Sequence, residues 1–142
     1  MSLIPVMLHI RGTQRYQGQD PDVIELTTEG TIEKQKEVWE ISYEESDLTG
    51  LAGTTTAFRV GPRGVILKRT GKIQNQMIFM EGHRHESLYQ IDIGALMITV
   101  KATKVDSKVS AQGGTVDIHY NIEIEDTTAG TVEYHLDINP IS

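Results

Sequence analysis

Residues 54–79 read TTTAFRVGPRGVILKRTGKIQNQMIF, and taken in steps of two they decide the fold. Thr54, Thr56, Phe58 and Val60 share one face. Beyond "GPRG", read as a four-residue hairpin loop, Val65, Leu67 and Arg69 share the next, and Ile73, Asn75, Met77 and Phe79 share a third. Such two-residue alternation, rich in β-branched residues and broken by Gly and Pro, marks half-buried strands joined by tight turns. If Val60 pairs with Val65, Phe58 stands opposite Leu67 and Thr56 opposite Arg69. If the following turn spans Gly71 to Ile73, Leu67 meets Met77 and Arg69 meets Asn75. A two-residue turn at Gly71 and Lys72 would shift that register and aim Arg69 elsewhere.

The same period extends outward in both directions. Val6, Leu8 and Ile10 alternate in a first strand; Ile24, Leu26 and Thr28 begin a second, with a turn near Lys34 to Lys36; Trp39, Ile41 and Tyr43 form the apolar side of a third. "EESDLTGLAG", residues 44–53, collects Ser, Asp and Gly and reads as a loop. After "EGHRHE" come Ser87, Tyr89, Ile91 and Ile93, then Leu96, Ile98, Val100 and Ala102. Val116, Ile118, Tyr120, Ile122 and Ile124 follow "QGG", and Val132, Tyr134, Leu136 and Ile138 follow "DTTAG". Ile32 to Glu40 fits a helix or a charged hairpin with Trp39 turned inward.

About ten strands with short connections imply an all-β chain. The expected architecture is a single antiparallel meander β-barrel of about eight to ten strands occupying residues 1–142 as one domain, with a β-sandwich as the alternative. A chain of 142 residues suits one domain, which buries roughly 70% of its unfolded surface. The sequence lacks cysteine, which removes disulfides and thiolate chemistry and fits a reducing compartment. The N-terminal stretch lacks the pattern of a signal peptide, and no apolar run approaches a spanning helix; a cytoplasmic protein without membrane contact is expected. A net charge of -7 and a pI near 5.1, with dispersed basic residues, disfavour a nucleic-acid partner.

The stretches "SYEESDLTG", "TTTAFRV", "VILKRTGKIQNQMIFMEG", "LYQIDIGALMITVKAT" and "VDIHYNIEIED" give the chain, over nearly its whole length, a resemblance to the YwiB-like family of bacterial proteins, small calycin-like β-barrels whose domain has no known function. The resemblance implies a lipocalin-like barrel in a bacterial, cytoplasmic setting and brings no catalytic residues. The Gly-x-Trp signature of lipocalins is missing, because Glu37 and Val38 precede Trp39, so a lipocalin transport role does not carry over.

Arg69 is the residue that violates its own pattern. A guanidinium inside a barrel costs several kcal/mol of desolvation unless its donors are met. One reading has Arg69, helped by Asn75 and Thr56, hold the acidic head of a small ligand by bidentate hydrogen bonds, with Phe58, Met77 and Tyr89 completing the site. The other has Arg69 reach solvent at a strand end or pair with an internal carboxylate. Two further constellations are weaker. His83 and His85, two apart beside Glu81 and Glu86, have a metal-ligand spacing that solvated loop histidines share. On the last hairpin His119 is expected opposite Asp137 or Asn139, and His135 opposite Asn121 or Glu123. These pairs resemble a base and its orienter, but no supported nucleophile completes them.

No phosphate loop, HExxH, nucleophile elbow or EF-hand loop occurs, and no motif calls for a cofactor. "LTGLAGTTT" has glycines and hydroxyls but no following helix. The expected function is a non-catalytic binding module for a small apolar or anionic ligand, as monomer or homodimer. The alternatives are a hydrolase-type enzyme using rim histidines, or a structural protein whose barrel is plugged by side chains such as Tyr120 and Tyr134, with Ile66 and Ile78 on a self-associating surface.

Overall fold

The computed structural model describes residues 3–16, 18–46, 51–91, 93–125 and 127–141. Its elements are ten strands: β1 (Ile4–Arg15), β2 (Asp22–Gln35), β3 (Val38–Glu44), β4 (Thr54–Gly61), β5 (Gly64–Gly71), β6 (Asn75–Phe79), β7 (Arg84–Ile91), β8 (Gly94–Ser110), β9 (Gly113–Ile124) and β10 (Thr127–Pro140). They form one antiparallel sheet in the order β6-β5-β4-β3-β2-β1-β10-β9-β8-β7. The alternation that predicts strands therefore yields a barrel, not two packed sheets. No helix long and apolar enough to cross a membrane occurs among the described residues.

The first and last strands lie at the centre of this order. Leu8 pairs with Thr28 on one side and Ile138 on the other. The sheet edges, β6 and β7, are consecutive in the chain and meet at a seam. Gln74 and Gln90 exchange backbone hydrogen bonds of 3.0 and 2.9 Å, and in the connection from β6 to β7 Gly82 N donates to Ala102 O of β8 at 2.8 Å. Side chains stitch the remainder: Asn75 Nδ2 donates to Ser87 Oγ and to Leu88 O, each at 3.1 Å, and Ile78 N donates to His85 Nδ1 at 3.3 Å. The barrel is thus nearly closed, and the exposed edges that an open sheet would offer to other chains are covered.

Parity sets the interior. Val6, Leu8, Ile41, Phe58, Leu67, Phe79, Ile118 and Leu136 are fully buried and belong to one continuous core, each burial stabilising by about 1.5–3 kcal/mol. The outer face carries cross-strand ion pairs such as Arg11–Glu25 at 3.7 Å and Arg84–Glu123 at 3.0 Å. In β8 the parity changes partway. Thr103 is an extra residue between the pairs Ala102–Tyr120 and Lys104–His119, so Ile98, Val100 and Ala102 face inward before it, and Val105 and Val109 pack against the core after it. A β-bulge produces this change of side.

Most expected pairings occur: Phe58 opposes Leu67, Thr56 opposes Arg69, Leu67 opposes Met77 and Arg69 opposes Asn75. Four local readings are corrected. Gly61 pairs with Gly64, leaving Pro62 and Arg63 as a two-residue turn within "GPRG". The first charged turn falls at Lys36 and Glu37, between paired Gln35 and Val38, with Lys36 at φ 59°; Ile32 to Glu40 is the hairpin, with Trp39 against the core. Thr127 to Gly130 belong to β10, because Ile124 pairs with Thr127, and a bulge between Thr128 and Gly130 shifts the register again. As a result His119 opposes Glu133 and His135 opposes Asp117. Residues 47–50 of the expected loop, which include the opening "LTG" of "LTGLAGTTT", and Asp126 of "DTTAG" lie outside the described residues.

Candidate functional site: a cavity around Arg69

The inward residues near one end of the barrel leave a cavity of about 300 Å³. Its walls come from the finishing ends of β1, β3, β5, β7 and β9, the starting ends of β2, β8 and β10, and Met77 of β6, with Ile24 standing at the lip, 41% exposed. The polar part of the wall holds Arg69, Glu45, Gln14 and Tyr16, Tyr43, Tyr89, Tyr120 and Tyr134. These are all five tyrosines of the chain.

Small residues make room for the rings. Tyr134 lies over Gly12, its Cε1 3.4 Å from where a Cβ at that position would stand. Tyr43 and Leu8 close over Gly30, where a Cβ would meet Ser42 O at 2.5 Å and Leu8 Cδ1 at 2.8 Å. A larger residue at position 30 would collide with backbone, so the approach depends on glycine. Tyr120 packs on Phe79 with centroids 4.6 Å apart and runs nearly parallel to Tyr134, at 19° and 6.4 Å. Phe58 meets Tyr134 edge to face at 6.2 Å.

Arg69 is nine-tenths buried. Its Nη2 donates to Tyr134 Oη at 3.3 Å, while its Nε finds no hydrogen-bond partner among the described residues. The ion pairs formed among those residues do not include it. Burial opposes its charge, but Tyr134, Tyr43 and Tyr120 around it hold its pKa above the ordinary arginine value, so it stays a cation. Burial, then Glu45 and Tyr134, pushes the Tyr43 hydroxyl up; burial and Tyr134 do the same for Tyr120. Both phenols are neutral donors at physiological pH.

The six residues singled out by sequence fall into two groups. Arg69, Met77 and Tyr89 line the cavity. Thr56, Phe58 and Asn75 stand behind it: Thr56 Oγ1 donates to Glu45 Oε2 at 2.5 Å, Phe58 supports Tyr134, and Asn75 ties the seam beside Arg69. Two further buried atoms without partners among the described residues, Thr54 Oγ1 and Asn75 Oδ1, lie on strands adjacent to Arg69 and on the same inner face. Sequence reading did not single out Glu45, Tyr43, Tyr16 or Gln14. Inward parity would have found Tyr43, whereas Glu45 and Tyr16 lie just past strand ends where parity stops.

The histidine sets separate. His83 is exposed in the turn before β7, His85 takes the Ile78 N–H in the seam, and the Glu81 carboxylate accepts from Val105 N at 2.9 Å. No three His, Asp or Glu side chains converge on a metal-sized site among the described residues. On the outer surface His135 Nδ1 lies 2.6 Å from Asp117 and its Nε2 3.2 Å from Asp137. The hydrogen bond to Asp117 raises its pKa above the ordinary histidine value despite partial desolvation, and Asp137 adds to the rise.

Comparison with known proteins agrees with the barrel. The YwiB β-barrel protein of Bacillus subtilis (strain 168), described as uncharacterised, is 26% identical over 123 residues, 86% of this chain and 84% of that one. The crystal structure of the ywiB protein from Bacillus subtilis matches with a TM-score of 0.87 at 19% identity, covering 99% of this chain and 94% of the other. Residues 8–138, from within β1 to near the end of β10, match the family described as a domain of unknown function, DUF1934. This chain belongs to the DUF1934 family.

Proposed function

We propose that the barrel is a binding module for a small organic molecule with an acidic group, anchored by Arg69. One observation carries the reading: a permanent guanidinium, nine-tenths buried, faces a cavity with its Nε unpartnered among the described residues and one 3.3 Å hydrogen bond, to the Tyr134 hydroxyl. Such a cation is stabilised by a carboxylate that accepts from Nε and Nη2 together. Met77 and Tyr89 supply contact area for the rest of the ligand, while Thr56, Phe58 and Asn75 hold the wall. The calycin-like character implied by the sequence suits the same use of a barrel mouth.

Native mass spectrometry of gently purified protein and a thermal-shift panel of small carboxylates test this. Added mass, or stabilisation by an acid but not by its methyl ester, is the expected result. Ligand-free protein with no stabilising acid at millimolar concentration would overturn it.

A further inference from the structure

Resting on that reading, we infer that the occupant is a compact aromatic monocarboxylic acid and not a saturated fatty acid. The wall is the argument. All five tyrosines of the chain converge on the cavity, from β3, β7, β9, β10 and the segment just beyond β1. A methylene chain laid against them would desolvate phenolic hydroxyls without giving them partners. A planar ring meets tyrosine faces and edges in offset or T-shaped contact, and ring substituents with oxygen reach the hydroxyls. Tyr134 links the two features, since its hydroxyl accepts from Arg69 while its ring runs nearly parallel to Tyr120. An acid held on Arg69 therefore has its ring beside theirs.

Size and charge narrow the class. A volume of about 300 Å³ is at the low end for small-ligand sites, which suits one or two fused rings. Among the described residues Arg69 is the one cationic side chain in the cavity wall, and Glu45 in the same wall repels a second negative group. Dicarboxylates and phosphates fit poorly.

Calorimetric titration with para-hydroxycinnamate, indole acetate and naphthoate, against octanoate and dodecanoate, tests the class. At least one aromatic acid should bind about tenfold or more tighter than either aliphatic acid, the scale of one or two hydrogen bonds to a charged group. Tyr89→Leu, at a half-buried position, should weaken that aromatic acid several-fold and leave dodecanoate unchanged or tighter. Aliphatic acids that bind as tightly as the aromatic ones, or a Tyr89→Leu variant that weakens both alike, would overturn the inference and leave the binding reading standing. If none of the five binds, the inference fails; the methyl-ester comparison across the wider panel then decides the binding reading separately.

Discussion

Arg69 shows how much a single side chain can disclose. Its place on an oily face was legible from the alternation of residues 65–79, because a cation there has to be explained by a partner, by solvent or by a ligand. The convergence of five tyrosines was not legible, since parity assigns Tyr43, Tyr89, Tyr120 and Tyr134 to the inside without saying which level of the barrel each occupies, and Tyr16 lies past the end of β1. The binding role makes a definite mutational forecast. Arg69→Met removes a poorly compensated buried charge at nearly constant volume, so the ligand-free protein should be as stable as wild type or more stable by about 1 kcal/mol. Affinity for any acidic ligand should fall about tenfold or more. Urea unfolding read alongside titration checks both; a loss of about 3 kcal/mol would instead make Arg69 a structural element of the wall. His135 allows a second test at this scale. Its folded pKa is raised, so its bonds to Asp117 and Asp137 stabilise the protein fully below the unfolded value near 6.5 and lose that effect as pH rises through the folded value. The side chain is 40% exposed, which keeps the effect under about 1 kcal/mol. Wild type should exceed His135→Gln in unfolding free energy near pH 6, with the gap closing in alkaline buffer; a gap that widens with pH has the wrong sign.

At the scale of elements, strand existence followed from the sequence and strand register followed only where turns were short and their residues decisive. The β4–β5 and β5–β6 pairings came out as expected because Gly61, Gly64 and Gly71 punctuate them. The β9–β10 pairing did not, because Glu125 leaves β9 at φ 52° and a bulge follows between Thr128 and Gly130. The β8 bulge at Thr103 and the β6–β7 seam were equally hidden, the first because one extra residue leaves no mark in composition, the second because it is a long-range closure made by side chains. The seam is the weakest lateral contact of the barrel. Asn75→Ala removes the hydrogen bonds to Ser87 Oγ and Leu88 O and leaves that carbonyl without its donor, at a cost of about 1–3 kcal/mol. Hydrogen exchange should show the amides of Ile78 and Gln90 opening faster, while β1 and β10 stay as protected as before. Equal acceleration across the sheet would mean that the seam and the barrel open as one unit.

For the whole molecule, the strand order inverts the usual relation between chain and sheet: the termini sit at its centre and the sheet edges fall in mid-chain. Val6 pairs with Pro140, and Ile141 N donates to Pro5 O at 3.1 Å, so the start of β1 and the end of β10 are neighbours. Every inner face feeds one core, and unfolding of the 142-residue chain is expected to be a single cooperative transition. The same geometry says where the covalent chain is dispensable. A short Gly/Ser linker can join Ile141 to Leu3 with little strain, and a new break at Gly82 falls in the turn of the seam, where two backbone bridges and a few side chains form the contact. A permutant starting at His83 and ending at Gly82 should keep the native circular dichroism spectrum and the same acid affinity as wild type, with a modest loss of stability. Deleting β10 instead strips partners from β1 and β9 together and should abolish folding. If the Gly82 permutant fails to fold while one opened between β8 and β9 at Gln112 succeeds, the β6–β7 connection is the element that organises the barrel, and the β1–β10 pairing forms around it.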